Sequence, residues 1–185
     1  MCDIINIIVY YLMPLQIRKA LICSCISGDY IKIIFKEFQM KIYIDADGCP
    51  VTDIAATLAG KYSIPCTIIC DTAHSIYRDG AKTIIVDKGA DSADFRLVNL
   101  IQSGDIAITQ DYGLAAMCLS KNAIVINQDG KLYTSENISG LLEFRAVSAK
   151  IRKSGGRLKG QSKRTAEQNK AFEAKLIALL ESISR

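Results

Sequence analysis

The most constraining feature of the chain is a series of short, almost wholly apolar segments that alternate with helical patterns after residue 40. Segments of this kind have the length and β-branching of buried strands. There are five of them: Met40–Ala46, Cys66–Cys70, Lys82–Asp87, Asp105–Thr109 and Ala123–Asn127. Because such strands have no polar face to turn to water, they predict a parallel sheet with helices on both sides. The sequence therefore predicts a three-layer α/β domain.

Five helices are predicted between and after these strands, from apolar residues spaced three or four apart. They are Val51–Tyr62, Asp91–Gln102, Tyr112–Ser120, Asn137–Lys153 and Thr165–Ile183. Pro50 suits a first helical turn, and Thr165 followed by Gln168 has the spacing of a capping box. The segment Ser154–Lys163 is rich in Gly, Ser and Lys and predicts a loop.

The first 39 residues differ in pattern from the remainder of the chain. Their apolar run, IINIIVYYLMPL, has 12 residues, short of the roughly 20 that cross a bilayer. Asp3 and the lack of an early basic residue also argue against a signal peptide. We expect residues 1–39 to be an extension outside the fold, with Met40 as the natural start. A peripheral membrane or partner-binding segment is the alternative.

Basic residues are concentrated behind the α/β pattern. The window from Arg145 to Arg164 holds eight basic and no acidic residues, although the net charge of the whole chain is only +4. The rest of the chain therefore carries −4. This asymmetry favours a polyanionic partner such as nucleic acid, with a solvated, charge-rich linker as the alternative. The candidate contacts are Arg152, Lys153, Arg157 and Lys159.

The domain organisation follows from these patterns. We expect an α/β domain over residues 40–145 and a basic loop with a C-terminal helix, packed on that domain, over residues 146–185. Seven cysteines without a CxxC pair do not form a disulfide or zinc framework, and the chain has one histidine, His74. Reduced thiols predict a cytoplasmic protein without a membrane span. The sequence leaves the oligomeric state open.

Acidic residues follow three of the predicted strands. Asp45 and Asp47 end the first, Asp91 and Asp94 open the helix after the third, and Asp111 follows the fourth. The carboxyl ends of parallel strands meet at one edge of a sheet, where ligands bind. Asp105 begins its strand and is therefore expected at the opposite edge.

Carboxylates that converge in this way repel one another unless a cation or raised pKa values relieve the repulsion. Mg²⁺ and Mn²⁺ prefer carboxylate and water oxygens and need neither His nor Cys. The five acids therefore predict an Mg²⁺ or Mn²⁺ site. Structural roles stay open for each: Asp91 and Asp111 suit helix N-caps, and Asp47 with Gly48 suits a turn.

Several motifs together resemble the YaiI/YqxD family of uncharacterised bacterial proteins. They are DADGCPV at 45–51, VDKGADSAD at 86–94, GDIAITQDYGLAA at 104–116, Asn137-Ile138 and SGGRLKG at 154–160. That family is similar to PIN-like domains, which cut nucleic acid with acids around Mg²⁺ or Mn²⁺. The resemblance implies a PIN-like fold and a metal-dependent nuclease, acting on RNA rather than DNA. On that pattern Asp45, Asp94 and Asp111 are catalytic acids, and Thr109 belongs to a T-x-D motif with Asp111.

Two other functions remain open. A strand ending in DxDG also resembles the haloacid-dehalogenase-type phosphatases, in which Asp45 would be the nucleophile and Asp47 the general acid. The lysine and the acidic pair expected later in such enzymes are not evident in this sequence. The third reading is a nucleic-acid-binding module without catalysis.

Overall fold

The structure is a computed structural model that describes residues 39–72, 76–87, 92–155 and 163–183. Within these ranges six strands and five helices follow one another in an α/β order. The strands are β1 (Ile42–Asp45), β2 (Cys66–Asp71), β3 (Ala81–Val86), β4 (Ile106–Ile108), β5 (Ile124–Ile126) and β6 (Leu132–Tyr133). The helices are α1 (Thr52–Lys61), α2 (Ser92–Leu100), α3 (Tyr112–Ser120), α4 (Ser135–Lys153) and α5 (Ala166–Ile183).

The strands form one sheet in the order β3-β2-β1-β4-β5-β6. The pairs from β3 to β5 are all parallel, and β6 pairs antiparallel with β5. The predicted α/β class with a parallel sheet is thus confirmed. The sequence pattern did not predict β6, because a two-residue strand after the turn at Gly130 carries no periodic signal.

Alternation along the strands sends side chains into two separate cores. Ile42 and Ile44 of β1 pack on the side of α1 and α5, whereas Tyr43 between them packs on the side of α2 and α3. Each core contains buried residues from both sheet and helices, so the sheet is covered on both faces. This is the predicted three-layer arrangement.

The last helix completes the first of these cores. Phe172, Leu176 and Leu180 of α5 are all 0% exposed and pack with Ile42, Ile44 and α1. The start of α5 has the predicted capping box: the Thr165 N–H donates to Gln168 Oε1 at 2.9 Å, and the Gln168 N–H donates to Thr165 Oγ1 at 3.4 Å. Residues 40–185 form one compact unit.

Asp105 lies at the amino-terminal edge of the sheet, as predicted. Its carboxylate accepts hydrogen bonds from the N–H groups of Lys41 and Gln102, each at 2.9 Å. These bonds join the chain entering β1 to the turn entering β4. Asp105 is therefore a structural acid that lies apart from the carboxyl ends of the strands.

Among the helices in the described parts of the chain, none is long and apolar enough to cross a bilayer. The extension expected over residues 1–39 lies, except for its last residue, outside the described residues.

Removal of the Phe172 ring tests the packing of α5 on the sheet. Phe172→Ala leaves a cavity in the core formed with β1 and α1, and we expect a loss of about 3–5 kcal/mol in the free energy of unfolding. Glu173→Ala, at an exposed position of the same helix, is the matched control and should change stability by less than about 0.5 kcal/mol. Urea titration followed by circular dichroism measures both. Equal stabilities for the two variants would show that α5 does not form part of the core.

Candidate metal centre

The sheet reverses its direction of growth between β1 and β4. From β1 the chain adds β2 and then β3 on one side, and it then returns to add β4 and β5 on the other. Connections on the two sides of such a pair diverge, which leaves a crevice beyond the carboxyl ends of the strands. Asp45 is the last residue of β1, and Thr109 directly follows β4. The topology therefore places this crevice beyond the residues that end β1 and follow β4.

A chain of hydrogen bonds connects the ends of β1 and β4. The hydroxyl of Thr109, which is 0% exposed, donates to Asp45 Oδ2 at 2.7 Å and accepts from the N–H of Asp111 at 3.0 Å. The loop after β1 is held by the Gln110 amide, whose Nε2 donates to the carbonyl oxygen of Gly48 at 2.8 Å. Gly48 has a φ of 70°, a conformation that favours glycine. The two loops that border the crevice are thus fixed to one another.

Asp45 is an acid of the site whose pKa is strongly raised. Its pKa is raised from 3.8 to about 6, mainly by burial and also by the nearby charges of Asp94 and Asp47, which together outweigh the hydrogen bonds from Thr109 and the Asp47 N–H. Asp94 exerts this effect from the first turn of α2. Two of the predicted acids, Asp94 and Asp47, therefore act on a third, Asp45. Their carboxylates are better accommodated with a bound cation or a proton.

Asp111 has a different environment. Its Oδ1 accepts from the N–H groups of Gly113 at 2.6 Å and Leu114 at 3.1 Å, which makes it the N-cap of α3. Its Oδ2 pairs with Arg145 Nη1 at 2.8 Å. The N–H donors and the Arg145 guanidinium outweigh desolvation and lower the pKa of this carboxyl. The structure thus gives Asp111 the capping role that the sequence left open, and adds a cationic partner from α4.

The donor set fits a hard divalent cation. In the described residues, no three acids, cysteines or histidines are grouped closely enough to hold a metal by themselves. Mg²⁺, however, is usually bound through one or two carboxylates with water completing its shell. Asp45 and Asp94 would supply such a pair, and Asp47, exposed in the β1–α1 loop, would add a further oxygen donor. Asp111 is less suited to direct binding because Arg145 and two N–H groups engage its oxygens.

The other predicted site residues lie further from the crevice or outside the described ranges. Asp91, Arg157 and Lys159 lie outside the described residues, whereas Arg152 and Lys153 are exposed in the last turn of α4. The thiol of Cys49, in the loop after Asp45, has its pKa raised mainly by burial, so it is not activated as a nucleophile.

Two residues at this edge were not predicted. Asp71 ends β2, next to β1 in the sheet, and its acidic character at a strand end was the signal that could have identified it. Arg145 appears in the sequence only as the first member of the basic run. Its contact with Asp111, 34 positions away, depends on the packing of α3 against α4.

The fold and site define a doubly wound α/β protein with an acidic centre at the switch point of its sheet. Residues 43–182 match the family model described as "Uncharacterized BCR, YaiI/YqxD family". The chain belongs to this family, as the sequence motifs indicated.

Relatives in other bacteria cover the same region. A UPF0178 protein of Exiguobacterium sibiricum is 48% identical over 141 residues, which are 76% of this chain and 96% of that one. A UPF0178 protein of Ruminiclostridium cellulolyticum is 49% identical over 142 residues, 76% of this chain and 92% of that one. A UPF0178 protein of Clostridium acetobutylicum is 45% identical over 137 residues, 73% and 93% of the two chains. No solved structure gives a significant match.

Replacement of Asp45 by Asn tests the electrostatic strain of the centre in protein stripped of metal by EDTA. Between pH 3.8 and about 6 the folded Asp45 keeps a proton that the unfolded chain has released, so stability falls as the pH rises through this window. Above pH 6 the whole penalty is present. Because Asn carries no charge, we expect Asp45→Asn to be about 1–3 kcal/mol more stable than wild type at pH 7.5.

The same advantage should disappear below about pH 3, where Asp45 is protonated in both the folded and the unfolded chain. Denaturant titrations at the two pH values measure the difference, with Asp79→Asn, at an exposed turn, as the control that changes little. A variant that is less stable than wild type at pH 7.5 would contradict the interpretation.

Proposed function

We propose that the protein is a metal-dependent nuclease that hydrolyses phosphodiester bonds, in RNA rather than DNA. The observation that carries this proposal is the placement of Asp45. It lies at the switch point of the sheet, on a buried threonine hydroxyl and within the electrostatic range of Asp94 and Asp47. A site of this kind, built from carboxylates and hydroxyl, suits Mg²⁺ or Mn²⁺ and the phosphate groups that these ions bind.

Within the proposal, Asp45 and Asp94 hold the ion, and Asp47 and Asp91 contribute directly or through water. A bound Mg²⁺ or Mn²⁺ supplies charge neutralisation at the scissile phosphate and lowers the pKa of a coordinated water. Thr109 fixes one oxygen of Asp45 through the 2.7 Å hydrogen bond. Such a partner of a ligand sets its orientation.

Asp111 acts in the proposal through Arg145. The carboxylate holds the guanidinium at 2.8 Å, between the end of β4 and the start of α3. Arg145 is about half exposed. One edge of its planar guanidinium can therefore donate to a phosphate while Asp111 accepts from another N–H. Asp111 therefore contributes by positioning a cation and capping α3.

Helix α4 extends this cationic contact away from the centre. Arg152 lies seven residues after Arg145, so it is on nearly the same helix face, about 10 Å further along the axis. Lys153 follows it in the last helical turn. A strand bound at the centre by one phosphate therefore meets further cations along α4. Contacts of this kind hold the backbone with little sequence preference.

Removal of the Thr109 hydroxyl tests whether its hydrogen bond to Asp45 is needed for RNA cleavage. With 5′-labelled single-stranded RNA and Mn²⁺, we expect Thr109→Val to lower the cleavage rate about 10–100-fold, because Asp45 loses its fixed orientation. Thr109→Ser keeps the hydroxyl and is the matched control, with a rate close to wild type. Cleavage is followed on denaturing gels, beside DNA of the same sequence and an Asp45→Asn protein.

The outcomes of this assay separate the three functions. RNA cleavage by wild type that exceeds Asp45→Asn supports the nuclease. Retention of RNA without cleavage would instead support a binding module. Release of p-nitrophenol from its phosphate monoester, sensitive to Asp45→Asn and without cleavage of RNA or DNA, would favour the phosphatase.

The contribution of α4 is tested by the salt dependence of RNA binding. Each phosphate neutralised on a single strand adds about 0.7 to the slope of log K against log salt. Arg152→Gln combined with Lys153→Gln should therefore lower that slope by about 1.4. The control combines Lys61→Gln and Lys82→Gln, which lie at the end of α1 and the start of β3. Fluorescence anisotropy measures the slopes, and equal slopes for the two double variants would remove α4 from the interface.

A further inference from the structure

A cleft of about 540 Å³ lies beside the candidate centre, beyond the carboxyl ends of β4 and β5. Its walls come from the loop after β4 and the start of α3, from β6 and the turn before it, and from the first half of α4. Tyr112, Tyr133 and Leu141 supply apolar surface, and Gln110 and Gln128 supply amides. The volume is that of a small-molecule site.

The cleft is continuous with the candidate centre along the chain. Gln110, in its wall, stands between Thr109 and Asp111, and Tyr112 follows Asp111 directly. On α4, Arg145 is one helical turn beyond Leu141, on the same face. A ligand in the cleft would thus extend towards Arg145 and the crevice at Asp45.

One polar atom of the cleft walls is left without a partner. Gln128 Oε1 is buried and accepts no hydrogen bond, the one such side-chain atom in the described parts of the chain. The neighbouring amides are occupied: Asn127 Oδ1 accepts from the N–H groups of Asp129 and Lys131, each at 2.9 Å, and Asn137 Nδ2 donates to the Leu132 carbonyl at 3.0 Å. A buried acceptor without a donor requires an explanation. Because this oxygen has almost no accessible surface, a ligand N–H would reach it after a rotation of the Gln128 side chain towards the cleft.

We propose that this cleft binds a nucleobase, with the attached phosphate lying towards Arg145 and the crevice at Asp45. The identity of the ligand rests on the proposed function, whereas the site itself rests on the cleft. A base offers flat apolar faces to Tyr112 and Leu141 and an N–H edge to Gln128 Oε1. The adjoining cation, Arg145, matches the phosphate that a nucleotide carries. The cleft thereby selects for nucleotides over simple phosphate esters.

Gly140 allows the cleft to be filled without disturbing the core. It lines the cleft on α4, and a Cβ added there meets no atom within 4 Å. Gly140→Leu places a large side chain in the cleft, and Gly140→Ala is the matched control that adds one methyl group. Both replacements favour the helix, so thermal unfolding should show that both variants fold.

The test is binding of 5′-nucleoside monophosphates to the full-length protein in EDTA, followed by ¹H–¹⁵N NMR titration, with ribose 5-phosphate as the probe lacking a base. We expect nucleotide-dependent shifts at the Gln128 and Gly140 amides, and at least tenfold weaker binding of ribose 5-phosphate. Gly140→Leu should weaken nucleotide binding about tenfold or more, Gln128→Leu should also weaken it, and Gly140→Ala should bind within about twofold of wild type.

Failure of this inference is distinguishable from failure of the nuclease proposal. Absence of nucleotide binding at millimolar concentration, equal binding of ribose 5-phosphate, or unchanged binding by Gly140→Leu would each overturn the base site, whatever the cleavage assay shows. Nucleotide binding that is lost in Gly140→Leu and retained in Gly140→Ala would support it, even for a protein that does not cleave RNA.

Discussion

The parallel pairing of β1 with β4 is the constraint on which the rest of the structure depends. It brings together strands 64 residues apart, with Ile42 opposite Ile106 and Ile44 opposite Ile108. The next chain segments then leave in different directions, an arrangement that favours a crevice beyond Asp45 and Thr109. The two cores, one with α1 and α5 and the other with α2 and α3, hold this pair from both faces.

Two acids at this edge of the sheet, Asp111 and Asp45, have environments that shift their pKa values in opposite directions. Asp111 is satisfied by two N–H groups and Arg145, and its pKa is lowered. Asp45 has a raised pKa despite its bond to Thr109, because burial and the charges of Asp94 and Asp47 disfavour its ionised form. A fold that keeps a carboxylate in such a position loses stability at neutral pH. A carboxylate that lowers stability is expected at a position whose side chain serves ligand binding rather than folding.

Much of the fold was predictable because each strand and helix has a local signal. The apolar runs marked β1 to β5, and the spacing of Thr165 and Gln168 marked the start of α5. The edge assigned to Asp105 followed from its place at the beginning of a strand. No local pattern predicts the order of the strands in the sheet. That order depends on the pairing of β4 with β1, which are far apart in the sequence. For the same reason, the sequence could neither connect Arg145 to Asp111 nor show the cleft at Gln128, both of which arise from packing of α4.

Asp45 at the end of β1 and Asp94 at the start of α2 are proposed to bind a divalent cation. Anomalous diffraction from crystals grown with Mn²⁺ measures this directly, since the ion is located independently of any activity. We expect an anomalous peak within coordinating distance of Asp45 and Asp94, with water completing the shell of the ion. Saturating Mn²⁺ with no peak at these carboxylates, or a peak only elsewhere on the surface, would contradict it.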